Sequence, residues 1–275
     1  MKIKDIKELQ KIANNVRIGI IESVYNAKSG HPGGSLSIAD ILTVLYFNQM
    51  NIDEKRPHSP ERDRLVLSKG HCAPALYSVL AERGFFDKEK LRTLRRIESE
   101  LQGHPDMNKI PGVDMTTGSL GQGLSAANGM AMASKLDSKG IRVYCICGDG
   151  EIEEGQIWEA AMASAHYKLD NLCLIVDNNN LQIDGKVSEV MNIYPIDEKF
   201  KSFGFETINV DGHNIEELIL AFETAKKVKG RPTVIIANTI KGKGVSFMED
   251  DPSWHGKAPN EEQYKIAMHD LGAIL

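Results

Sequence analysis

The feature that most restricts the fold is a rhythm in the second half of the chain. IRVYCIC (141–147), NLCLIVD (171–177) and PTVIIANT (232–239) are almost uninterrupted apolar segments. FETINV (205–210) is a fourth strand-like segment. Between them, EEGQIWEAAMASAHY (153–167) and NIEELILAFETAKKV (214–228) carry helical periodicity. Strands that are apolar throughout are covered on both faces, and strands alternating with helices pair in parallel. The expectation is an α/β fold, a doubly wound and mostly parallel sheet with helices on both faces. It forms a single domain over residues 1–275.

The first half supplies further layers. Residues 5–28 and 37–50 have helical periodicity, and SGHPGG (29–34) separates them with three glycines and a proline. RDRLVLS (62–68) predicts a short strand, and KGHCAPALYSVLAERG (69–84) a loop entering a helix. Residues 100–120 form a glycine- and proline-rich connection, and GQGLSAANGMAMASKL (121–136) a helix of small residues.

Composition removes several function classes. Of 275 residues, 41% are hydrophobic and 26% charged, enough for a sizeable core. A net charge of -5 argues against a general nucleic-acid surface. No apolar run is long enough to cross a membrane, and MKIKDIKELQKIANN lacks the apolar core of a signal peptide. Cys72, Cys145, Cys147 and Cys173 lack metal-site spacing and are expected as buried apolar thiols, as in a reducing cytoplasm.

The chemistry is expected at strand ends, where open α/β sheets bind ligands. IRVYCIC runs into Gly148-Asp149-Gly150, and NLCLIVD ends in Asp177 followed by Asn178-Asn179-Asn180. One helix and one strand separate the two ends, so they are neighbours. A carboxylate and an amide oxygen together suit a hard cation such as Mg2+ or Ca2+, and Mg2+ completes its shell with water and phosphate oxygens. Gly150 would let a phosphate approach the backbone. Asp and Asn are also common turn residues, so two plain turns remain the alternative at this point.

The neighbouring segments narrow the choice. GDG followed by NN resembles the thiamine diphosphate-binding motif. SGHPGG, SKGHCAPALY (68–77), QGHPD (102–106) and TTGSLGQGLSAANGMA (116–131) resemble transketolase segments in the family's order. So do GDGEIEEGQIWEAA (148–161), DNNNLQIDG (177–185) and WHGKAP (254–259). The chain resembles only the diphosphate-binding domain of that family. This implies the N-terminal subunit of a split transketolase, with a truncated fragment as the alternative for an ending at LGAIL.

The resemblance implies roles residue by residue. Asp149, Asn179 and the Leu181 carbonyl would hold Mg2+, for which Ca2+ or Mn2+ could substitute, and Gly150 would contact the diphosphate. His71 and His255 would touch the diphosphate, while His31 and His104 would line the substrate channel. Imidazoles that titrate near neutral pH would suit those tasks. Gly118, Ser119, Leu120 and Ile240 would lie against the cofactor rings. Glu154 would pair across an interface with the partner's activating glutamate; otherwise it complements a helix N-terminus. KGKG (241–244) would cover the cofactor or be a plain loop. Asn178 would be a turn residue, and His58, His166, His213 and His269 structural or surface residues.

The implied reaction moves a two-carbon ketol unit from a ketose phosphate such as xylulose 5-phosphate to an aldose phosphate such as ribose 5-phosphate. A C-terminal partner would supply the pyrimidine-binding and C-terminal domains in an α2β2 assembly. The alternatives are a related thiamine enzyme, of the deoxyxylulose-phosphate or dihydroxyacetone synthase type or acting on another sugar, and a non-catalytic cofactor-binding module.

Overall fold

The computed structural model describes residues 2–273. Met1 and the final Ile274 and Leu275 of LGAIL lie outside the described residues. The main sheet has five strands: β1 (Arg64–Leu67), β2 (Val143–Gly148), β3 (Leu172–Asn178), β6 (Glu206–Asp211) and β7 (Thr233–Asn238). A small antiparallel pair, β4 (Leu181–Gln182) and β5 (Gly185–Lys186), follows β3. The main sheet runs β1-β2-β3-β7-β6, and all its pairings are parallel.

Side chains in the strands alternate between two cores. Leu65, Leu67, Tyr144, Ile146, Cys173, Ile175 and Ile235 join the larger. Val66, Cys145, Cys147, Leu174, Val176, Val234 and Ile236 join the smaller. This period of two with both faces apolar is why the strands read as unbroken apolar runs.

Helix placement follows from handedness. Chain progress from β1 to β2 to β3 and then to β6 moves one way across the sheet. Right-handed crossovers therefore put the helices Gly123–Leu136, Gly155–His166 and Ile196–Ser202 on the same face. Only the step from β6 back to β7 reverses, and its helix, Ile215–Lys227, lies on the other face. The long helix Ile6–Ala27 packs there too, started by Asp5, whose side chain accepts the Lys7 N–H at 2.8 Å.

Several local details differ from expectation. The helix expected over 37–50 runs Ala39–Val44 and widens into a π-turn, Leu45–Gln49. SGHPGG holds a short helix, Pro32–Leu36, with proline at its start. Ile196–Ser202 and Glu261–Asp270 are helices with no counterpart in the sequence reading. No helix among the described residues is long and apolar enough to cross a membrane. All four cysteines are buried and unpaired, with Cys145 and Cys147 sulfurs 3.9 Å apart on one face of β2.

Candidate cofactor and active site

Parallel pairing brings the carboxyl ends of β1, β2, β3 and β7 to one edge. Gly148 is opposite Asp177, and Asp177 opposite Ala237. The Asp149 N–H donates to the Asp177 carbonyl at 3.2 Å, extending the ladder past the strand. There a pocket of about 240 Å³ opens, with Asp149, Gly150, Asn179 and Leu181 on one wall and His31, His71 and His255 on another.

Asp149 is 1% exposed. Its carboxylate accepts the Gly150 N–H at 2.9 Å and the Asn180 N–H. Burial, reinforced by the nearby Asp177 charge, pushes its carboxyl up to about 7, which those N–H groups only partly offset. Such a carboxylate favours a cation. Asn179 Oδ1 accepts the Leu181 N–H at 3.1 Å, and the Leu181 carbonyl accepts Lys241 Nζ at 3.2 Å. One carboxylate, one amide oxygen and one carbonyl fit a cation that keeps few protein ligands. Among the described residues, no group of three or more His, Cys, Asp or Glu side chains could hold a metal instead.

The opposite wall suits an anion. His31, His71 and His255 form a triangle with ring centroids 5.1, 5.4 and 5.3 Å apart. His31 Nδ1 is buried and unpartnered within the chain. Lys241, 2% exposed, donates from Nζ to His255 Nδ1 at 3.0 Å. Burial lowers all three imidazoles: His31 to about 4 with help from His71, His71 to about 4 with help from Lys69, and His255 to about 3 with help from Lys241. They are therefore neutral at neutral pH, rather than poised near it as their residue type alone suggests. Spacing along a sequence does not reveal burial. With Lys241 protonated, its bond to Nδ1 leaves the His255 proton on Nε2, a donor.

Gly150 lines the pocket and is closely approached by Gln182. A Cβ there would sit 2.7 Å from Gln182 Cβ and Oε1. Gly150→Ala is expected to displace β4 and weaken thiamine diphosphate binding about tenfold, at an overpacking cost of about 1–3 kcal/mol. Titrating the cofactor against the variant by calorimetry would check this; unchanged affinity would remove Gly150 from the site.

The other expected residues are less centrally placed. Gly118 and Leu120 line the pocket, and Ser119 lines an adjoining cleft. His104 is exposed and its ring packs on Gly118. Burial and then Arg95 lower its pKa. Ile240 lines a different cleft with Asn178, Tyr194 and Glu249. Glu154 is exposed, as the residue capping the start of helix Gly155–His166. Asn178 turns away, donating to Asn238 Oδ1 at 2.8 Å.

Sequence reasoning missed the buried charges beneath the pocket. Lys69 Nζ bonds Asp177 Oδ2 at 2.5 Å and the Gly34 carbonyl at 2.9 Å. Glu151 accepts the Ser68 hydroxyl and the N–H groups of Gly121 and Gly148, the last two at 3.0 Å. His213, expected as a structural or surface residue, ties the Ile240 segment down. Its Nε2 accepts the Ile240 N–H at 2.8 Å while Nδ1 bonds Asp40 at 2.8 Å. An acid ending an apolar strand, as Asp177 does, was the available signal.

A parallel sheet with a pocket at its carboxyl edge, lined by a buried carboxylate, a carboxamide and three imidazoles, is the arrangement of a ligand-binding α/β domain. The family is specific: the model of the transketolase thiamine diphosphate binding domain matches residues 8–273, and the chain belongs to that family. It is 48% identical to a 6-deoxy-6-sulfo-D-fructose transketolase subunit from Clostridium sp. (strain MSTE9), covering 96% of each chain. It is 44% identical to an apulose-4-phosphate transketolase subunit from Phocaeicola vulgatus, covering 96% of this chain and 93% of that one. Among solved structures, transketolase from Campylobacter jejuni superposes with a TM-score of 0.91 at 38% identity, over 98% of this chain. The chain spans 43% of that transketolase's length.

Proposed function

We propose that this chain is the diphosphate-binding subunit of a split transketolase. It binds Mg2+ and thiamine diphosphate and moves a two-carbon ketol unit from a ketose to an aldose phosphate. The observation that carries this is the meeting of Asp149, Asn179 and the Leu181 carbonyl with three neutral imidazoles in one pocket. Thiamine diphosphate, when bound, supplies the carbanion that takes up and releases the two-carbon unit.

This chain's own residues position and protonate. Asp149, Asn179 and the Leu181 carbonyl hold the metal, and Gly150 admits the diphosphate. His71 and His255 donate hydrogen bonds to phosphate oxygens. For His255 that donor would be Nε2–H, with its tautomer set by Lys241. His31, with a free ring nitrogen, and His104, at the mouth, receive donor hydroxyls. Gly118, Ser119, Leu120 and Ile240 pack against the cofactor rings, and Glu154 faces the partner.

The partner would carry the pyrimidine-binding and C-terminal domains in an α2β2 assembly. Four buried thiols suit a reducing cytoplasm. Xylulose 5-phosphate and ribose 5-phosphate are the first substrates to test. A second reading is favoured by the subunit-sized relatives, a 6-deoxy-6-sulfo-D-fructose transketolase subunit and an apulose-4-phosphate transketolase subunit, whose names point to other sugars.

Ketol transfer tests the proposal. The chain alone and the chain mixed with its partner are assayed with Mg2+ and thiamine diphosphate against xylulose 5-phosphate, 6-deoxy-6-sulfofructose and apulose 4-phosphate. Transfer is expected only in the mixture, and the donor consumed identifies the substrate. Transfer by the chain alone would overturn the split site. Cofactor binding without transfer from any donor would overturn the transketolase reading.

A further inference from the structure

Asp177 is fully buried and is none of the expected metal ligands, yet it is bonded to both metal-bearing segments. Its backbone carbonyl accepts the Asp149 N–H at 3.2 Å. Its Oδ2 accepts Asn179 Nδ2 at 2.8 Å, Ser37 Oγ at 2.8 Å and Lys69 Nζ at 2.5 Å. Its Oδ1 accepts the Thr239 hydroxyl. Four donors converge on one buried carboxylate.

That arrangement decides how the Asn179 carboxamide is turned. A carboxamide has a donor end and an acceptor end that are nearly the same size. On one side of Asn179 lies an ionised carboxylate, which only accepts. On the other lies the Leu181 N–H, which only donates, at 3.1 Å from Oδ1. Only one orientation satisfies both neighbours: it turns Nδ2 to Asp177 and Oδ1 to the Leu181 N–H. The opposite orientation would point an NH2 group where a cation needs an oxygen.

We infer that Asp177, charge-matched by Lys69, is a positioning residue for the metal site: it fixes the Asn179 amide and thereby sets divalent-cation affinity. The inference rests on the proposed Mg2+ site. Lys69 has a separate task. It balances Asp177, which leaves Asp149 and Glu151 as the buried carboxylates of the pocket without a cation partner. The four groups that meet the Asp177 carboxylate all donate, the Lys69 ammonium among them, and this keeps it an acceptor.

The test compares two variants of the full chain. Asp177→Leu with Lys69→Met removes the acceptor and its counter-charge together, a change buried pairs tolerate far better than loss of one partner. The concentration of Mg2+ needed for half-maximal binding of thiamine diphosphate is expected to rise about 10–100-fold, as for other outer-shell partners. Excess Mg2+ is expected to restore full cofactor binding. Asp177→Asn keeps an oxygen able to occupy the place of Oδ2, and its half-saturation point is expected within about threefold of the parent by the same outer-shell scale. Calorimetric titration of Mg2+ at fixed thiamine diphosphate reads both, and melting of the metal-free chain monitors folding.

If the parent binds the cofactor with Mg2+ and the double variant needs no more Mg2+ than the parent, the positioning role falls while the metal site stands. A double variant that loses binding and is not restored by excess Mg2+ also overturns it, because the loss is then structural. If the double variant does not fold, Asp177→Asn decides: a shift beyond tenfold would overturn the inference that the oxygen acceptor suffices. A parent that binds thiamine diphosphate with no dependence on Mg2+ would overturn the metal site itself and this inference with it.

Discussion

Asp149→Asn is expected to abolish metal-dependent cofactor binding and, in the absence of metal, to make the chain more stable by an amount that grows with pH. The two effects have one cause. A carboxylate 1% exposed and beside Asp177 is costly to ionise, which is why its carboxyl lies near 7 rather than 3.8. At about 1.4 kcal/mol per pH unit, ionisation in the folded state costs on the order of 4–5 kcal/mol above pH 7. The amide variant avoids that cost, but its NH2 faces a backbone N–H, at about 1–3 kcal/mol. The net gain at pH 8 is about 1–4 kcal/mol, or several degrees in melting temperature for a chain of this size.

The sign is fixed by linkage. The folded chain holds the Asp149 proton more tightly than the unfolded chain does, so the penalty is absent below pH 3.8. It accumulates up to about 7 and is constant above. The difference in melting temperature between variant and parent should widen from pH 4 to 7 and then level. Melting curves in a chelator across that range check the slope, and a Mg2+ titration with thiamine diphosphate checks the loss. A difference that narrows with rising pH would contradict the burial of an uncompensated carboxylate.

Glu151→Ala is expected to be the most destabilising single change near the pocket that removes no proposed ligand. Glu151 is 4% exposed and its two oxygens gather β1, β2 and the loop before helix Gly123–Leu136. Truncation leaves the Gly121 and Gly148 N–H groups buried and unpaired, at about 1–3 kcal/mol each. A loss of about 3–5 kcal/mol corresponds to a fall of about 10 °C in melting temperature. Glu151→Gln keeps one acceptor oxygen and should lose about half as much on the same scale. Thermal unfolding of both variants separates the outcomes: equal losses would mean that side-chain volume, not acceptor count, matters there.

What the sequence disclosed was what repeats or punctuates. Runs such as LCLIV are buried on both faces, so their composition states the sheet directly. GDG and NNN interrupt those runs at strand ends, so they mark the ligand edge. Ile196–Ser202 is too short to show a helical period, so it was not legible. Lys69 and Asp177 were not legible because 108 residues separate them and only the fold makes them a pair. The imidazoles were legible as residues but not as neutral ones, because their neutrality comes from Lys69, Lys241 and mutual burial. Ile240 was legible as a motif residue, but its place in a second cleft, which shares Asn179 with the histidine pocket, was not.

The strand order has a consequence for how binding competence arises during synthesis. The ligand-bearing residues of β2 and β3 emerge early, by Leu181. The strand that flanks β3 on its other side, β7, emerges only with Thr233–Asn238, and it brings Thr239 and Lys241. Until then β3 is paired with β2 alone and the Asp177 carboxylate lacks one of its donors. A growing chain thus carries its proposed metal ligands well before the strand that completes their surroundings has emerged.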